Sequence, residues 1–388
     1  MTQLSIDPNY LTTVLSDLVS IDSTNPSLSP DGAGEAEIAA YVAEACRTMG
    51  LVVEILEPQQ GRPSVLATKP GTGGGPSLML NAHLDTVGVT GMQDPFTPII
   101  RDGRLYGRGA QDMKGSLAAC LAALHALQSA GVRLRGDLLL AAVADEEYAS
   151  LGTEAIAGHV RVDAAIVTEP TDLQLCLAHK GFAWIEVQTH GRAAHGSRYW
   201  EGLDANRMLG HVLVALDELD ADLRIRRRHP LVGPASLHAA SMHGGTEPSV
   251  YAAQAALTIE RRTLPGETPE SALAEVQAIL DRLSAQDSNF AATARLVFSR
   301  PPFEAHTASP LRSALEYGYA QITGNDPTPT GIAFWMDSAI LSAAGADTLI
   351  IGPTGGGLHS AEEWVDLDSC LTLARLLAET AIRYSGKV

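Results

Sequence analysis

Residues 77–87 read SLMLNAHLDTV, an apolar run that leads directly into a histidine and an aspartate. Two later segments repeat this design: 137–147 reads DLLLAAVADEE, and 164–169 reads AAIVTE. Short apolar runs bounded by turn residues predict buried strands. Apolar stretches at 113–130 and 153–158 predict helices between them, and this alternation is typical of a mostly parallel sheet. The sequence therefore predicts an α/β fold.

Polar side chains collect where these three strands end. His83 and Asp85 follow the first strand, the acidic triplet 145–147 follows the second, and Glu169 follows the third. Open α/β sheets bind their ligands at the carboxyl ends of the strands. A lone acidic triplet is more often a solvated turn, and a lone histidine is more often a hydrogen-bonded structural residue. Three strand ends that carry imidazole and carboxylate groups together favour a metal site.

Local sequence leaves the roles of three further residues open. Asp85 is placed to hold a ring nitrogen of His83, an arrangement that metal-bound histidines use. Asp112 lies between a glycine-rich loop and the predicted helix at 113–130, where it either caps the helix or binds metal. His359 follows the glycines at 355–357, so it is either a turn residue or a ligand.

Composition excludes several classes of protein. The 388 residues include 27 Lys and Arg against 45 Asp and Glu, a net charge of −18, and 45% are hydrophobic. This balance argues against disorder and against a nucleic-acid surface. The N-terminus lacks a basic flank with an apolar run, and no stretch of about 18 apolar residues occurs, so we expect a cytoplasmic protein without a membrane segment. The four cysteines form no CxxC pair, which argues against a disulfide framework or a structural zinc knuckle.

The pattern of predicted elements changes after residue 180. Strands are predicted at 183–189, 235–242, 252–262 and 292–299, and helices at 204–219 and 269–284. Two such strand–helix–strand units are typical of an inserted α+β domain. Elsewhere we predict helices at 10–19, 35–49, 310–322 and 367–384, buried strands at 52–56 and 64–68, and a strand at 348–351. The length also fits more than one domain. We therefore predict a catalytic domain at 1–179 and 300–388, split by an inserted domain at 180–299.

Five motifs carry a resemblance to a known family. They are AHLDTV at 82–87, GRGAQDMKG at 107–115, DEE at 145–147, TEPT at 168–171 and GLHSAEEWV at 357–365. In order and spacing they resemble the co-catalytic zinc amidohydrolases and peptidases that include acetylornithine deacetylase, succinyl-diaminopimelate desuccinylase, aminoacylase and glutamate carboxypeptidase. The similarity extends over essentially the whole chain. It implies a zinc-peptidase-like catalytic domain with a mostly parallel mixed sheet, plus a ferredoxin-like lid or dimerisation domain.

The resemblance implies two Zn²⁺ ions per chain, with Co²⁺ or Mn²⁺ as substitutes. His83 and Glu169 would bind one ion, Glu147 and His359 the other, and Asp112 would bridge the two. Zinc accepts imidazole nitrogen and carboxylate oxygen and keeps a position open for water in catalytic sites. A bridging carboxylate keeps the ions close enough to act on one water and one carbonyl.

The resemblance also implies the proton chemistry. Glu146 would be the general base that takes the proton of the attacking water and passes it to the leaving amine. We also count Asp85, which is placed to hold the His83 ring, among the catalytic residues. In many relatives Thr precedes the residue that corresponds to Asp337, whereas Met336 stands here, so we expect Asp337 to shape the pocket without a catalytic role.

The inserted segment has its own resemblance to the family's lid domain, through GRAAHGS at 191–197, GGTEPSV at 244–250 and ERRTLPGE at 260–267. His195 would stabilise the oxyanion in the partner subunit's active site. Arg262 would grip a substrate carboxylate, a task suited to a planar fork of donors. Ser249 stands where many relatives have Asn, and its shorter side chain leaves substrate contacts open. Without the resemblance, His195 reads as a surface turn histidine and Arg262 as an exposed arginine.

These inferences predict a hydrolase of N-acyl amino acids similar to acetylornithine deacetylase, acting as a homodimer through the inserted domain. A dipeptidase or glutamate-type carboxypeptidase of the same family is the alternative. A binding protein that keeps the fold without turnover is a third, which the complete ligand set and Glu146 disfavour. A phosphate-binding loop at 71–75 is excluded because Pro76 follows and no helix begins there. The acyl group and amino acid are not readable from the sequence.

Overall fold

The computed structural model describes residues 4–388. Its internal contacts divide the chain into two compact units. The first contains the chain up to residue 177 together with 305–330 and 336–388, and the second contains 178–304 and 331–335. That the segment 180–299 is an inserted domain with these limits stays a prediction.

The elements are numbered in chain order. The helices are α1 (Pro8–Ser20), α2 (Ala36–Thr48), α3 (Gly115–Ser129), α4 (Leu151–His159), α5 (Ala205–Arg226), α6 (Pro269–Gln286), α7 (Pro310–Thr323), α8 (Ser338–Ala343) and α9 (Leu367–Ser385). The strands are β1 (Val52–Leu56), β2 (Ser64–Lys69), β3 (Leu78–His83), β4 (Ile99–Arg101), β5 (Arg104–Tyr106), β6 (Leu138–Val143), β7 (Ala164–Val167), β8 (Leu175–His179), β9 (Gly181–His190), β10 (Arg228–His229), β11 (Gly233–Pro234), β12 (Ser236–Gly244), β13 (Gln254–Thr263), β14 (Ala292–Arg300), β15 (Phe303–Glu304), β16 (Pro329–Ile332), β17 (Asp347–Ile350), β18 (Gly355–Gly356) and β19 (Trp364–Asp366). A π-helical turn, Ala110–Lys114, precedes α3.

The main sheet of the first unit has a parallel centre. Its strand order is β1-β2-β6-β3-β7-β17-β8. β6, β3, β7 and β17 run parallel, whereas β1, β2 and β8 pair antiparallel with their neighbours. Every residue of β3, β6 and β7 is buried, as expected for parallel strands covered on both faces. The predicted α/β class with a mostly parallel mixed sheet is confirmed.

A small antiparallel sheet in the first unit has the order β18-β19-β5-β4. In its register Trp364 lies opposite Tyr106 and Asp366 opposite Arg104. The sheet therefore places the loop before β19, which carries His359, beside the loop after β5, which leads to Asp112. The sequence analysis did not predict these strands, because two or three residues are too few to show a period.

The second unit has a ferredoxin-like arrangement. Its elements follow the order β9, α5, β12, β13, α6, β14, and they form an antiparallel sheet in the order β12-β13-β9-β14. Ile185, Val187, Leu257 and Ile259 are buried together with apolar residues of α5 and α6, so both helices cover the same face. The predicted α+β type of the inserted segment is confirmed. β12 lies at an edge of this sheet.

Three predicted elements differ in detail. β1 is an edge strand with Val52 56% exposed, so the expectation of a buried strand is wrong there. The helix predicted to begin at residue 113 begins at Gly115, because the π-helical turn takes up the preceding residues. α5 continues past residue 219 to Arg226, and its last turns contain ion pairs four residues apart instead of apolar periodicity.

None of the helices in residues 4–388 combines the length and the apolar character that crossing a bilayer requires.

Candidate active site

Two groups of potential metal ligands share one residue. His83, Asp112 and Glu169 form the first group, and Asp112, Glu147 and His359 form the second. Within each group, one ligand atom from every residue lies within 4.8 Å of the others. The fold thus brings together all five residues predicted to bind metal.

Asp112 faces the two groups with different oxygens. Its Oδ1 is 2.9 Å from Nε2 of His83, and its Oδ2 is 3.3 Å from Nε2 of His359. Nε2 of His359 is also 3.3 Å from Oε2 of Glu147. Lys114, and not Asp112, occupies the N-cap position of α3, so the capping alternative is wrong. One carboxylate oxygen thus faces each of the two groups.

The structure corrects the expected contact between Asp85 and His83. Nδ1 of His83 lies 2.9 Å from the backbone oxygen of Asp85, whereas the carboxylate Oδ1 is 3.8 Å away. The Asp85 carboxylate points instead to the acidic turn and accepts hydrogen bonds from the backbone N–H groups of Glu146 and Glu147. The Asn25 side chain donates to it as well, at 2.7 Å. Asp85 therefore holds the turn, while its backbone orients the imidazole.

The acidic groups of the site lie in a buried region and repel one another. Burial and then the charge of Glu169 raise the pKa of Glu146 well above its ordinary value. Burial and then Asp112 raise the pKa of Glu147 to about 7. Burial by itself would raise the pKa of Asp112, but hydrogen bonds from His359 and then His83, together with their charges, outweigh it and lower that pKa. The site concentrates more negative charge than its two histidines balance.

Two buried carboxylate oxygens have coordination capacity that a cation could use. Among the described residues, Oε1 of Glu147 and Oδ1 of Asp337 are buried without a hydrogen-bond partner. A buried carboxylate oxygen without a donor is costly, and a divalent ion relieves that cost. Asp337 is held on its other oxygen by the hydroxyl of Thr153. Imidazole and carboxylate donors with free coordination capacity fit a dinuclear metal site.

Two lid motifs meet in the second unit. Gly196 N–H donates to the backbone oxygen of Ser249 at 2.7 Å, and His195 forms a β-bridge with Val250. The His195 side chain is exposed, and its Nδ1 lies 2.8 Å from Oγ of Ser197. The structure thus brings His195 and Ser249 into neighbouring loops.

Arg262 lies away from these loops, toward the other end of β13. Its Nε donates to Glu260 at 2.7 Å, and its guanidinium lies over the ring of Phe182. The other oxygen of Glu260 accepts from Nε1 of Trp184 at 3.0 Å. The side chain is 29% exposed. Glu260 therefore fixes the Nε edge of the guanidinium.

The sequence analysis missed Asn25 and Glu260 as residues that hold functional groups in place. A signal was present for both. Asn25 belongs to a polar run, Ser23 to Asn25, that is buried next to α1, and buried polar residues usually hold a partner. Glu260 stands at the start of the quoted motif ERRTLPGE.

Comparison with known proteins decides the family. Residues 79–383 match the family described as Peptidase family M20/M25/M40. This chain belongs to the M20 family. The resemblance predicted from the five motifs is confirmed, and so is the assignment to a family of amidohydrolases and metallopeptidases.

The relatives of this chain have names that give different substrates. The chain is 26% identical to the N-formyl-4-amino-5-aminomethyl-2-methylpyrimidine deformylase of Bacillus subtilis (strain 168) over 386 residues, covering 90% of this chain and 89% of that protein. It is 27% identical to the acetylornithine deacetylase of Myxococcus xanthus over 391 residues, covering 97% and 98%. The solved structure of the Bacillus subtilis YXEP protein, described as a dinuclear metal binding peptidase from the M20 family, superimposes with a TM-score of 0.75 at 16% identity over 97% of both chains. The chain is thus an M20 hydrolase with deacylase and peptidase relatives.

Proposed function

We propose that this hydrolase removes the acyl group from N-acyl amino acids, in the manner of an acetylornithine deacetylase, at a site that binds two metal ions. The observation that carries the proposal is Asp112, whose two oxygens face two separate histidine and glutamate pairs. The deacylase names of the relatives support an acyl substrate.

His83 and Glu169 would hold one ion, Glu147 and His359 the other, and Asp112 both. This set of nitrogen and oxygen donors suits Zn²⁺, and Co²⁺ or Mn²⁺ accept the same donors. When bound, the ions supply Lewis acidity, which polarises the amide carbonyl and lowers the pKa of water.

Glu146 would move the proton. Its backbone is fixed by Asp85, while its neighbour Glu147 points its carboxylate to His359. A carboxylate in this position accepts a proton from the attacking water and delivers it to the nitrogen of the leaving amino acid. The two adjacent acids would then have different roles, Glu147 as a ligand and Glu146 as the base.

We predict two tightly bound metal ions per chain when the protein is purified without chelator. Elemental analysis measures the stoichiometry. His83→Ala and His359→Ala should each lower it, because each removes a nitrogen ligand. The control is His159→Ala, which removes an exposed histidine paired with Glu54 at 3.1 Å and should leave two ions bound. A native chain without a tight site, or unchanged stoichiometry in both ligand variants, contradicts the assignment.

We predict that Arg262 selects substrates with a free α-carboxylate. Charged hydrogen bonds to such a group are worth about 1.5 to 3 kcal/mol, so Arg262→Lys or a substrate carboxamide should lower kcat/KM by about 10- to 100-fold. The matched control is Arg295→Lys on β14, an exposed arginine whose Nε donates to Glu186 at 2.8 Å. Equal kcat/KM for a substrate and its carboxamide removes Arg262 from this role. Ser249, beside the His195 loop, stays a predicted substrate contact.

The peptidase alternative uses the same site. The YXEP protein is described as a peptidase, and Arg262 would bind the terminal carboxylate of a dipeptide equally well. A panel of N-acyl amino acids and dipeptides, assayed with Zn²⁺ and with Co²⁺, separates the two functions. Faster turnover of every dipeptide would favour the peptidase.

We also propose a homodimer through the second unit. β12 is one of the two edge strands of its sheet, and residues 238–244 are exposed. An unpaired edge presents N–H and C=O groups to another strand, and a second copy of β12 is the symmetric partner. Light scattering of the purified chain measures the mass.

The cysteines support the cytoplasmic location predicted from the sequence. All four are buried, and none of them forms a disulfide bond within residues 4–388. Cysteines that form no disulfide are typical of proteins in reducing compartments. Fractionation of cells that produce the protein tests the location.

A further inference from the structure

One buried carboxylate of the first unit gathers the backbone around Asp112. Glu363, with 1% of its side chain exposed, forms an ion pair with Arg108 at 2.6 Å. The same carboxylate accepts hydrogen bonds from the backbone N–H groups of Gly109 at 3.0 Å, Gln111 at 2.9 Å and Asp112 at 3.1 Å. Four donors thus converge on one side chain, including the amide of the residue that both ligand groups share.

Arg108 extends these links to two further loops. Its side chain is 2% exposed. Its Nε donates to the backbone oxygen of Gly88 at 3.1 Å, and Nη2 donates to that of Ser360 at 3.1 Å. Gly88 follows the segment that contains His83, and Ser360 follows His359. Arg108 therefore connects the segments that carry one histidine of each ligand group.

The regular ladder does not reach these ligands. β5 and β19 pair only from Arg104 to Tyr106 and from Trp364 to Asp366. Asp112 lies beyond those pairs in the π-helical turn after Gly109, and His359 lies in the loop after Gly357; both glycines adopt positive φ. Side-chain hydrogen bonds add to the few backbone bonds that order these two segments.

We propose that Glu363 and Arg108 form a clamp that positions Asp112 and His359 for metal binding, an inference that rests on the proposed dinuclear site. Neither residue contacts a ligand atom of the metal groups, so both are positioning residues. A carboxylate offers about four lone-pair sites and therefore satisfies four donors. A carboxamide has one acceptor oxygen and would turn an NH₂ group toward other donors. The charge and the shape of Glu363 are both required.

The test is the affinity for metal, measured by competition of Zn²⁺ or Co²⁺ with a chromophoric chelator. Glu363→Gln should weaken binding by about 10- to 100-fold, the usual cost of losing a residue that orients metal ligands. Arg108→Lys keeps the charge but loses the geometry of the links to Gly88 and Ser360. This variant should lower the affinity for the ion held by His359 more than the affinity for the ion held by His83 and Glu169.

A matched control separates positioning from stability. Arg261 in the second unit is equally buried and pairs with Glu275 at 3.1 Å. Glu275→Gln also removes a carboxylate from a buried guanidinium, so it should lower the unfolding midpoint. Both metal affinities should stay native in this variant, because Glu275 holds no loop of the site.

The outcomes are distinct. If Glu363→Gln folds and binds both ions within about twofold of the native affinity, the clamp is overturned. The clamp is also overturned if Glu275→Gln loses as much metal affinity as Glu363→Gln does. Should Glu363→Gln fail to fold, Glu363→Asp carries the test. It keeps the charge beside Arg108, shortens the reach to the amides and should also weaken metal binding; native affinity in it overturns the proposal. A native chain that binds fewer than two ions contradicts the proposed dinuclear site itself.

Discussion

Glu146→Gln should retain two metal ions per chain and lose about 10²- to 10⁴-fold in kcat, or more if this residue handles both proton transfers. Glutamine has nearly the same shape as glutamate, so the hydrogen bond from the backbone N–H of residue 146 to the Asp85 carboxylate should persist. An amide cannot accept the proton of the attacking water. Metal binding should be spared because Glu146 belongs to neither ligand group.

Measurement of kcat and of metal content on the same preparation checks this prediction. Glu147→Gln is the contrasting variant, because it removes a ligand oxygen near His359 and should lose metal together with activity. Glu54→Gln, at an exposed residue of β1, controls for the substitution itself. Near-native kcat in Glu146→Gln rules out the proposed base. Loss of metal in Glu146→Gln would instead assign metal binding to Glu146 and the role of general base to Glu147.

The part of the site that lies on the central sheet was predictable from sequence. β3, β6 and β7 are short apolar runs bounded by turn residues, and such runs, buried on both faces, are typical of neighbouring parallel strands. Once these strands are parallel, their carboxyl ends must meet. The placement of His83, the acidic turn and Glu169 at one edge follows from that step.

The rest of the site depends on pairing between distant segments. Local sequence left Asp112 and His359 ambiguous, and the family resemblance was needed to assign them. Their meeting depends on β5 and β19, which are three residues each and far apart in the chain. Such short strands have no detectable period, so the role of Glu363 was invisible although its motif was quoted.

Spacing also fails to specify which atom makes a contact. The two-residue interval between His83 and Asp85 correctly predicted their contact, but it assigned that contact to the carboxylate. In the structure the backbone oxygen of Asp85 serves the ring, and the carboxylate binds backbone amides of the acidic turn. The difference arises because residues 145–147 lie on the neighbouring strand end, and only the folded sheet brings their amides within reach.

His195→Ala should lower kcat by about 10²- to 10³-fold without changing metal content, as expected for loss of one oxyanion donor. The His195 ring is exposed and its Nδ1 lies beside the Ser197 hydroxyl, so Nε2 is the nitrogen that can face a substrate. Such a donor acts on the charge that develops in the transition state, so KM should change far less than kcat. Ser197→Ala, which removes the contact to Nδ1 but keeps the imidazole, should have a smaller effect.

If His195 acts across a homodimer, two inactive variants should restore each other. In a heterodimer of His195→Ala and Glu146→Gln chains, one site combines a native Glu146 with a native His195 from the partner. Free exchange of an equimolar mixture makes about half of the dimers mixed, each with one such site, so about a quarter of native activity should return. Mixing Glu146→Gln with the double variant Glu146→Gln/His195→Ala is the control and should restore none, because no chain then has the base. Inactive heterodimers confirmed by mass, or a fully active monomer, would exclude the action across subunits and leave the metal chemistry unaffected.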